Sequence, residues 1–474
     1  MKSIRIALLA VAVVMAAIVA TRMLFGPFRY GPLSVTTPLN PEGFFGLAVT
    51  LLLLTRGTTN RAAATWTWRA AVLLSLGVAG ISILALRRSL GVYFLSDDFI
   101  LVKYGTEWTA AAFRYAITHG GGDGFFRPFG FVSLALDARL GGMSPVFWHA
   151  SALAIHSANA VLVLCMAKRL GASALAAGFA GTLFAVHGIH PEAVVWIAGR
   201  FDLLATFFLL IGLLLFGVAG SRLPLHAAAL ASFTLAALSK EAAFVFPFLV
   251  AGWALWNRQP IRRTAAYFAL AAILFAYRWS LFGGIGGYVD RATGRPAALS
   301  LGLGSTLKAV AVRLWTSLDF PLNWSTDPSL LLALLAAAYM AALMWLGLRS
   351  QPARPLWPAA AAILICTIPV LSLLAGSPTL AESRVLYLPS VWFAILFALA
   401  LDGVPARAGC TAAAFMLLFH IAAIQHNLGF WEAASARVKA ACATGAPALP
   451  DSLDGVPLLA NGRQECIEIT RAQP

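Results

Sequence analysis

Two adjacent carboxylates, Asp97 and Asp98, stand inside "VYFLSDDFILV" (92–102), an otherwise apolar and aromatic run. A carboxylate held beside a second one and partly withdrawn from water can take a raised pKa and accept a hydroxyl proton as a general base. Lys103, Glu107, His119, Asp123 and Arg127 follow within the same stretch, flanked by aromatic residues. The plain alternative is an interfacial loop whose aspartate caps the next helix.

Three further stretches carry charge into apolar surroundings. "HGIHPEAVVWIAGRFDLLA" (187–205) holds His187, His190, Glu192, Arg200 and Asp202. Zinc hydrolase motifs space their histidines i, i+4 on a continuous helix, whereas His187 and His190 are i, i+3 and Pro191 interrupts the turn. No metal ligand is therefore assigned, and a polar loop packed beside Asp97 is expected. Lys240 and Glu241 form the tip between two short apolar stretches, 225–238 and 242–256. They could pair with each other, yet an ionisable pair at membrane depth is a functional candidate by default. "AESRVLYLPS" (381–390) sets Glu382, Arg384 and Tyr387 at a helix start. Arg384 is suited either to interfacial anchoring or to gripping a phosphate with its planar fork of donors. His149, His156, Ser157 and Asn159 share one apolar stretch, where bonds between helices are expected.

The elements that position these residues are membrane helices. Of 474 residues, 60% are hydrophobic and 11% charged. Apolar segments read at 5–25, 41–55, 70–88, 147–167, 173–189, 200–218, 225–238, 242–256, 264–282, 330–348, 357–375, 385–402 and 407–424. Runs of this length cross about 30 Å of hydrocarbon, which predicts an all-α polytopic membrane protein of about thirteen transmembrane helices rather than a β-barrel. Residues 128–140 and 307–318 are too short to span and are expected along the outer interface. The start, "MKSIRIALLAVAVVMAAIVATRM", has a basic head but no A-x-A site, so it reads as an uncleaved first helix.

The basic connections 55–69, 168–171, 256–263, 349–355 and 405–407 fall on one side when the helices alternate. The positive-inside rule makes that side the cytoplasm and leaves the acidic loops and a short C-terminal tail outside; Arg87 and Arg88 run against it. Eighteen of the 19 acidic residues then share the outer face, Asp402 being the exception. The net charge of +15 reflects this topology and affinity for anionic lipid, since no Lys/Arg cluster occupies a soluble domain that could bind nucleic acid. Cys442 and Cys466 lie in the tail and could form a disulfide in an oxidising compartment, with Cα atoms within about 7 Å.

Taken in order, "SDDF", "FRPFGFVSLALDARLGG", "FWHASALAIHSAN", "FAVHGIHPEAVVWIAGRFDLLA", "ALSKEAAFVFP" and "ESRVLYLPS" resemble the GT-C superfamily of polyprenyl-phosphate-dependent membrane glycosyltransferases. The resemblance is to the membrane part of the protein O-mannosyltransferases, including the transmembrane and tetratricopeptide-repeat group. Extra helices (1–68) precede a GT-C-like membrane domain (69–424), and a small periplasmic tail (425–474) replaces a tetratricopeptide array.

The resemblance implies a multi-pass protein of the bacterial inner membrane with its N-terminus cytoplasmic. It implies a lipid-linked sugar donor arriving through the bilayer and a periplasmic protein or glycan acceptor, with no cofactor and no metal. Asp97 or Asp98 would be the base of a single inverting displacement. Arg384, Arg200, Lys240 and Arg127 would compensate the donor phosphate. Glu192, Asp202, His190, Glu241 and Tyr387 would orient these groups or the sugar. Rival readings are a lipid-linked glycan transporter, a non-catalytic membrane assembly factor and a metal-dependent membrane hydrolase. The transferase reading expects Asp97, Asp98, Glu192, Arg200, Lys240 and Arg384 around one cavity.

Overall fold

A computed structural model describes residues 2–30, 33–59, 66–120, 124–289, 296, 302–374, 377–445, 449–459 and 461–472. Asp123, noted in the acidic stretch, lies outside the described residues. The chain opens with α1 (Lys2–Phe25), a two-stranded hairpin of β1 (Phe28–Tyr30) and β2 (Leu33–Val35), α2 (Leu39–Leu54) and α3 (Trp68–Leu86). The acidic region forms α4 (Asp98–Glu107), α5 (Ala110–His119) and α6 (Pro128–Gly141). The bundle continues through α7 (Pro145–Arg169), α8 (Ala174–Ala185), α9 (His190–Val195), α10 (Arg200–Ala219), α11 (Leu223–Ala237), α12 (Phe246–Trp256) and α13 (Ala265–Phe282). After α14 (Leu303–Lys308) and α15 (Leu314–Asp319) come α16 (Leu330–Arg349), α17 (Trp357–Thr367), α18 (Tyr387–Leu401) and α19 (Ala406–Ala443). A small hairpin, β3 (Ser452–Leu453) with β4 (Val456–Pro457), and α20 (Arg463–Ala472) complete the chain.

Each apolar stretch read from the sequence coincides with one apolar helix. Among the described residues, eight helices (α1, α3, α7, α10, α13, α16, α18 and α19) are long and apolar enough to cross a membrane. The helices containing α2, α8, α11, α12 and α17 are shorter. The protein is thus a multi-pass helical membrane protein. All residues of α18 are buried, as a helix apolar on every side must be, and it packs on α7, α8, α10 and α17 at the centre of the bundle. Its first turn is therefore a fixed platform, and Arg384 sits immediately before it.

The connections sort into two ends. At the basic end, Thr59 donates to the Pro352 carbonyl (3.0 Å), Gln351 to the Gly403 carbonyl (2.9 Å), and Lys168 lies 4.6 Å from the Trp66 ring centroid. Asp402, the acidic exception, accepts from the Ser173 amide at 3.0 Å and so ties α18 to the start of α8. Arg88, which ran against the charge rule, sits at the other end because α19 supplies its partners. It donates to Glu432 Oε1 (2.7 Å) and to the Gln425 carbonyl (3.1 Å). The bonds expected between helices are present for Ser157, Asn159 and His156, whereas His149 packs against Phe94 instead. Ser157 donates to Ser82, Asn159 to the Leu203 carbonyl, and His156 shares a hydrogen with Tyr387.

Candidate active site

The acidic loop, the 187–205 region, the Lys240–Glu241 tip and the 380–384 turn meet at the end opposite the basic connections. Their backbones are unusually constrained. Among the described residues, non-glycine positive φ angles occur at Ser96 (45°), Leu380 (57°) and Glu382 (67°), besides Arg258 and Asp454. Each such residue costs about 1–3 kcal/mol and persists only where its surroundings enforce it.

Asp98 and Asp97 have separate tasks. The Asp98 side chain is fully buried. Its Oδ2 accepts from the Leu95 amide (3.0 Å) and its Oδ1 from the Ile197 amide (2.9 Å), which pins the acidic loop to the turn before α10. Burial pushes its pKa up against these stabilising bonds. Asp97 is half-buried, at the start of α4. Its Oδ1 accepts from the Asn461 side-chain amide at 2.8 Å and more loosely from Ser96. Among the described residues, no hydrogen bond reaches its Oδ2.

Arg384 is one residue removed from that turn. Its guanidinium lies 4.5 Å from the Trp196 ring centroid, and Trp196 immediately precedes Ile197. Nη1 contacts Glu192 Oε1 at 2.5 Å, and Nη2 contacts Glu382 Oε2 at 2.8 Å and donates to the Tyr288 hydroxyl at 3.4 Å. Glu192 also accepts from the amides of Glu382 (3.2 Å) and Arg384 (2.9 Å) and from the Ser383 hydroxyl (3.0 Å). This carboxylate thus holds the whole 382–384 turn. Burial raises the pKa of Glu382, whose side chain is 40% exposed.

Lys240 and Glu241 do not pair with each other. Lys240 Nζ meets Asp202 Oδ2 at 2.5 Å, and Glu241 takes a two-pronged contact from Arg127 at 2.6 and 3.1 Å. Burial opposes the Arg127 charge, but the facing Glu241 carboxylate more than offsets it and holds its pKa above the ordinary value. Arg127 also lies over Phe125 and Phe201, and the Phe125 ring meets Tyr288 at 5.0 Å, which links this pair to Arg384. Cations and carboxylates alternate across this end because each buried charge needs an opposite partner.

Arg200 faces elsewhere. It is 1% exposed, contacts Asp137 Oδ2 at 2.6 Å and donates to Ser133 and to the Trp148 carbonyl. Its partners Asp137 and Ser133 line a groove of about 490 Å³ between α6, α7 and α10, whereas Glu192 lines a crevice of about 20 Å³ beside Ser383. Of the six residues expected around one cavity, Glu192 lines this crevice, and Arg200 reaches the separate groove only through its partners Asp137 and Ser133. Removing one partner of a buried ion pair leaves an uncompensated charge, at about 3–5 kcal/mol. Asp137→Ala is accordingly expected to lower the thermal unfolding temperature in detergent sharply, and Asp137→Leu with Arg200→Met to recover most of the loss. A double variant no better than the single one would contradict this.

The His187 and His190 rings lie 5.5 Å apart, but Glu192 does not join them. The His187 ring packs on His420 with centroids 4.5 Å apart, His190 Nε2 shares a hydrogen bond with Ser390 Oγ at 3.0 Å, and Glu192 turns to Arg384. Burial lowers the pKa of His190. The Tyr387 hydroxyl is bonded to His156 and Asn159 within the core. Asp137, Tyr288 and Asn461 join this end of the molecule without having stood out in the sequence. Asp137 has a charge in an apolar helix as its signal, while the other two sit in glycine-rich or polar stretches with none.

Fold and site together define a multi-pass helical membrane protein with a charged cluster at one end. No protein-family model matches the chain. A segment of it is 32% identical over 146 residues to protein O-mannosyl-transferase tmtc2 of Xenopus laevis, covering 29% of this chain and 18% of that protein. Over 136 residues it is 32% identical to protein O-mannosyl-transferase TMTC2 of Homo sapiens (27% and 16% covered), and over 140 residues 31% identical to Tmtc1 of Drosophila melanogaster (27% and 16%). The match thus spans less than a fifth of these relatives. Among solved structures, ArnT from Cupriavidus metallidurans in the apo state superposes with a TM-score of 0.39 at 15% identity, covering 85% of this chain and 88% of that one. ArnT bound to undecaprenyl phosphate gives 0.37 at 15% identity, with 86% and 89% covered. The chain is thus locally similar to proteins named O-mannosyl-transferases.

Proposed function

We propose that this protein is a membrane glycosyltransferase that moves a sugar from a polyprenyl-phosphate donor to a hydroxyl of a periplasmic protein or glycan at the bacterial inner membrane. The observation that carries the reading is a carboxylate, Asp97, with one oxygen uncommitted among the described residues, joined through Asp98, Ile197 and Trp196 to the guanidinium of Arg384. The local similarity to proteins named O-mannosyl-transferases supports the same reaction class.

The acceptor oxygen attacks the anomeric carbon while Asp97 takes the hydroxyl proton, and the bond from that carbon to the phosphate oxygen breaks with inversion. Polyprenyl phosphate leaves with the electron pair. Arg384 compensates its charge, the phosphate displacing Glu382 from the guanidinium. Glu382 is the partner suited to leave, being the more exposed of the two carboxylates on Arg384 and held on left-handed backbone. Lys240 and Arg127 lend positive potential, with Asp202 and Glu241 holding them in place.

The test is reconstitution in nanodiscs with radiolabelled undecaprenyl-phosphate mannose and a serine- and threonine-rich peptide. Label is expected on the peptide, at a rate unchanged by chelator. Glycan export without transfer would favour a transporter. A chelator-sensitive rate restored by zinc would redirect the chemistry to His187, His190 and Glu192.

A further inference from the structure

The C-terminal segment reaches back over the candidate site. α19 runs unbroken to Ala443, and the Cys442–Cys466 disulfide, with Cα atoms 5.6 Å apart, fastens α20 to its end. Between these anchors the chain touches both loops that carry the proposed chemistry. On the acidic loop, Ser96 donates its amide to the Leu458 carbonyl (2.7 Å), and Asn461 donates its side-chain amide to Asp97 Oδ1 (2.8 Å). On the other flank, Asn323 donates to the Asp454 carbonyl (2.9 Å), and Gly455 packs on Thr379. A Cβ at Gly455 would lie 2.3 Å from Thr379 Oγ1, and its φ of 83° is left-handed, so glycine alone permits this approach. Gly455 and Val456 also line the crevice that contains Glu192 and Ser383.

We infer that this strap is part of the active site and that Asn461 is a positioning residue for Asp97. The inference rests on Asp97 being the base. A neutral amide fixes the rotation of a carboxylate without neutralising it, as a lysine or arginine would, and it occupies one oxygen only. Oδ2 is then the oxygen left for the hydroxyl proton. Ser96, on left-handed backbone next to Asp97, is held by the same strap through its amide. The disulfide sets the reach of the strap, so Asn461 arrives at Asp97 in one register.

Asn461 is exposed, so its replacement is expected to spare the fold. The experiment compares Asn461→Ala, Asn461→Asp and Asn461→Gln in nanodiscs with the mannose donor and peptide named above. Alanine, and aspartate of equal size but without the N–H, are expected to lower kcat about tenfold to a hundredfold, with the donor KM within about twofold. Glutamine, which keeps the donor, is expected to recover part of the rate. Thermal unfolding is expected to be the same in all three. Wild-type kcat in Asn461→Ala and Asn461→Asp, alongside an inactive Asp97→Asn, would overturn the positioning role and leave the transferase reading intact. Equal losses in all three variants with lowered thermal stability would reduce the contact to packing and also overturn it. Full rate of sugar transfer in Asp97→Asn would overturn the positioning role together with the assignment of Asp97 as the base, while the transferase activity would stand.

Discussion

Asp97→Asn is expected to lower sugar transfer by about a hundredfold to ten-thousandfold, the span typical of losing a general base. The protein should still fold, because the residue is half-buried and its contact to Asn461 can be re-made by the amide oxygen. Donor binding should also survive, since Asp97 makes no contact to Arg384, Lys240 or Arg127. Asp98→Asn is expected to fail differently. Both carboxylate oxygens of Asp98 accept backbone amides where no water reaches, and an asparagine would turn an N–H₂ toward one of those donors. Each orphaned buried group costs about 1–3 kcal/mol. The measurable result is a lower unfolding temperature and less folded protein in Asp98→Asn, against a well-folded but inactive Asp97→Asn. If Asp97→Asn transfers sugar at the wild-type rate, Asp97 is not the base.

The membrane elements were legible because hydrophobic length reports directly on burial. Alternation of the helices also grouped the basic connections, and contacts such as Thr59 to Pro352 and Gln351 to Gly403 bring them to one end. The distance expected for Cys442 and Cys466 was met because the chain turns back after α19 and brings α20 against its end. Charge pairing was not legible. Lys240 and Glu241 are adjacent in sequence, yet they straddle a bend, so one side chain is handed to α10 and the other to Arg127. Arg200 and Asp202 lie two residues apart on a helix and therefore face different neighbours, Asp137 and Lys240. Asn461 had no local signal at all. Its position follows from the length of α19, which passes the expected end at residue 424, and from the disulfide that turns the chain back.

Arg384 is expected to give the other large effect, and its substitutions separate charge from shape. Arg384→Ala leaves Glu192 buried with its three remaining hydrogen bonds but no counter-charge, at about 3–5 kcal/mol. It also removes the group proposed to take the leaving phosphate, for which a loss of about a hundredfold to a thousandfold in kcat is typical. Arg384→Lys keeps the charge, yet an ammonium cannot lie flat over Trp196 while reaching both Glu192 and Glu382. Its stability should stay near wild type, with transfer between those of wild type and alanine. Glu382→Gln is expected to move the other way. Removing the carboxylate that competes for the guanidinium should lower the donor KM while leaving Glu192 paired. Donor titrations on the three variants decide the matter: a raised donor KM in Glu382→Gln, or wild-type kinetics in Arg384→Lys, would mean that the phosphate goes elsewhere.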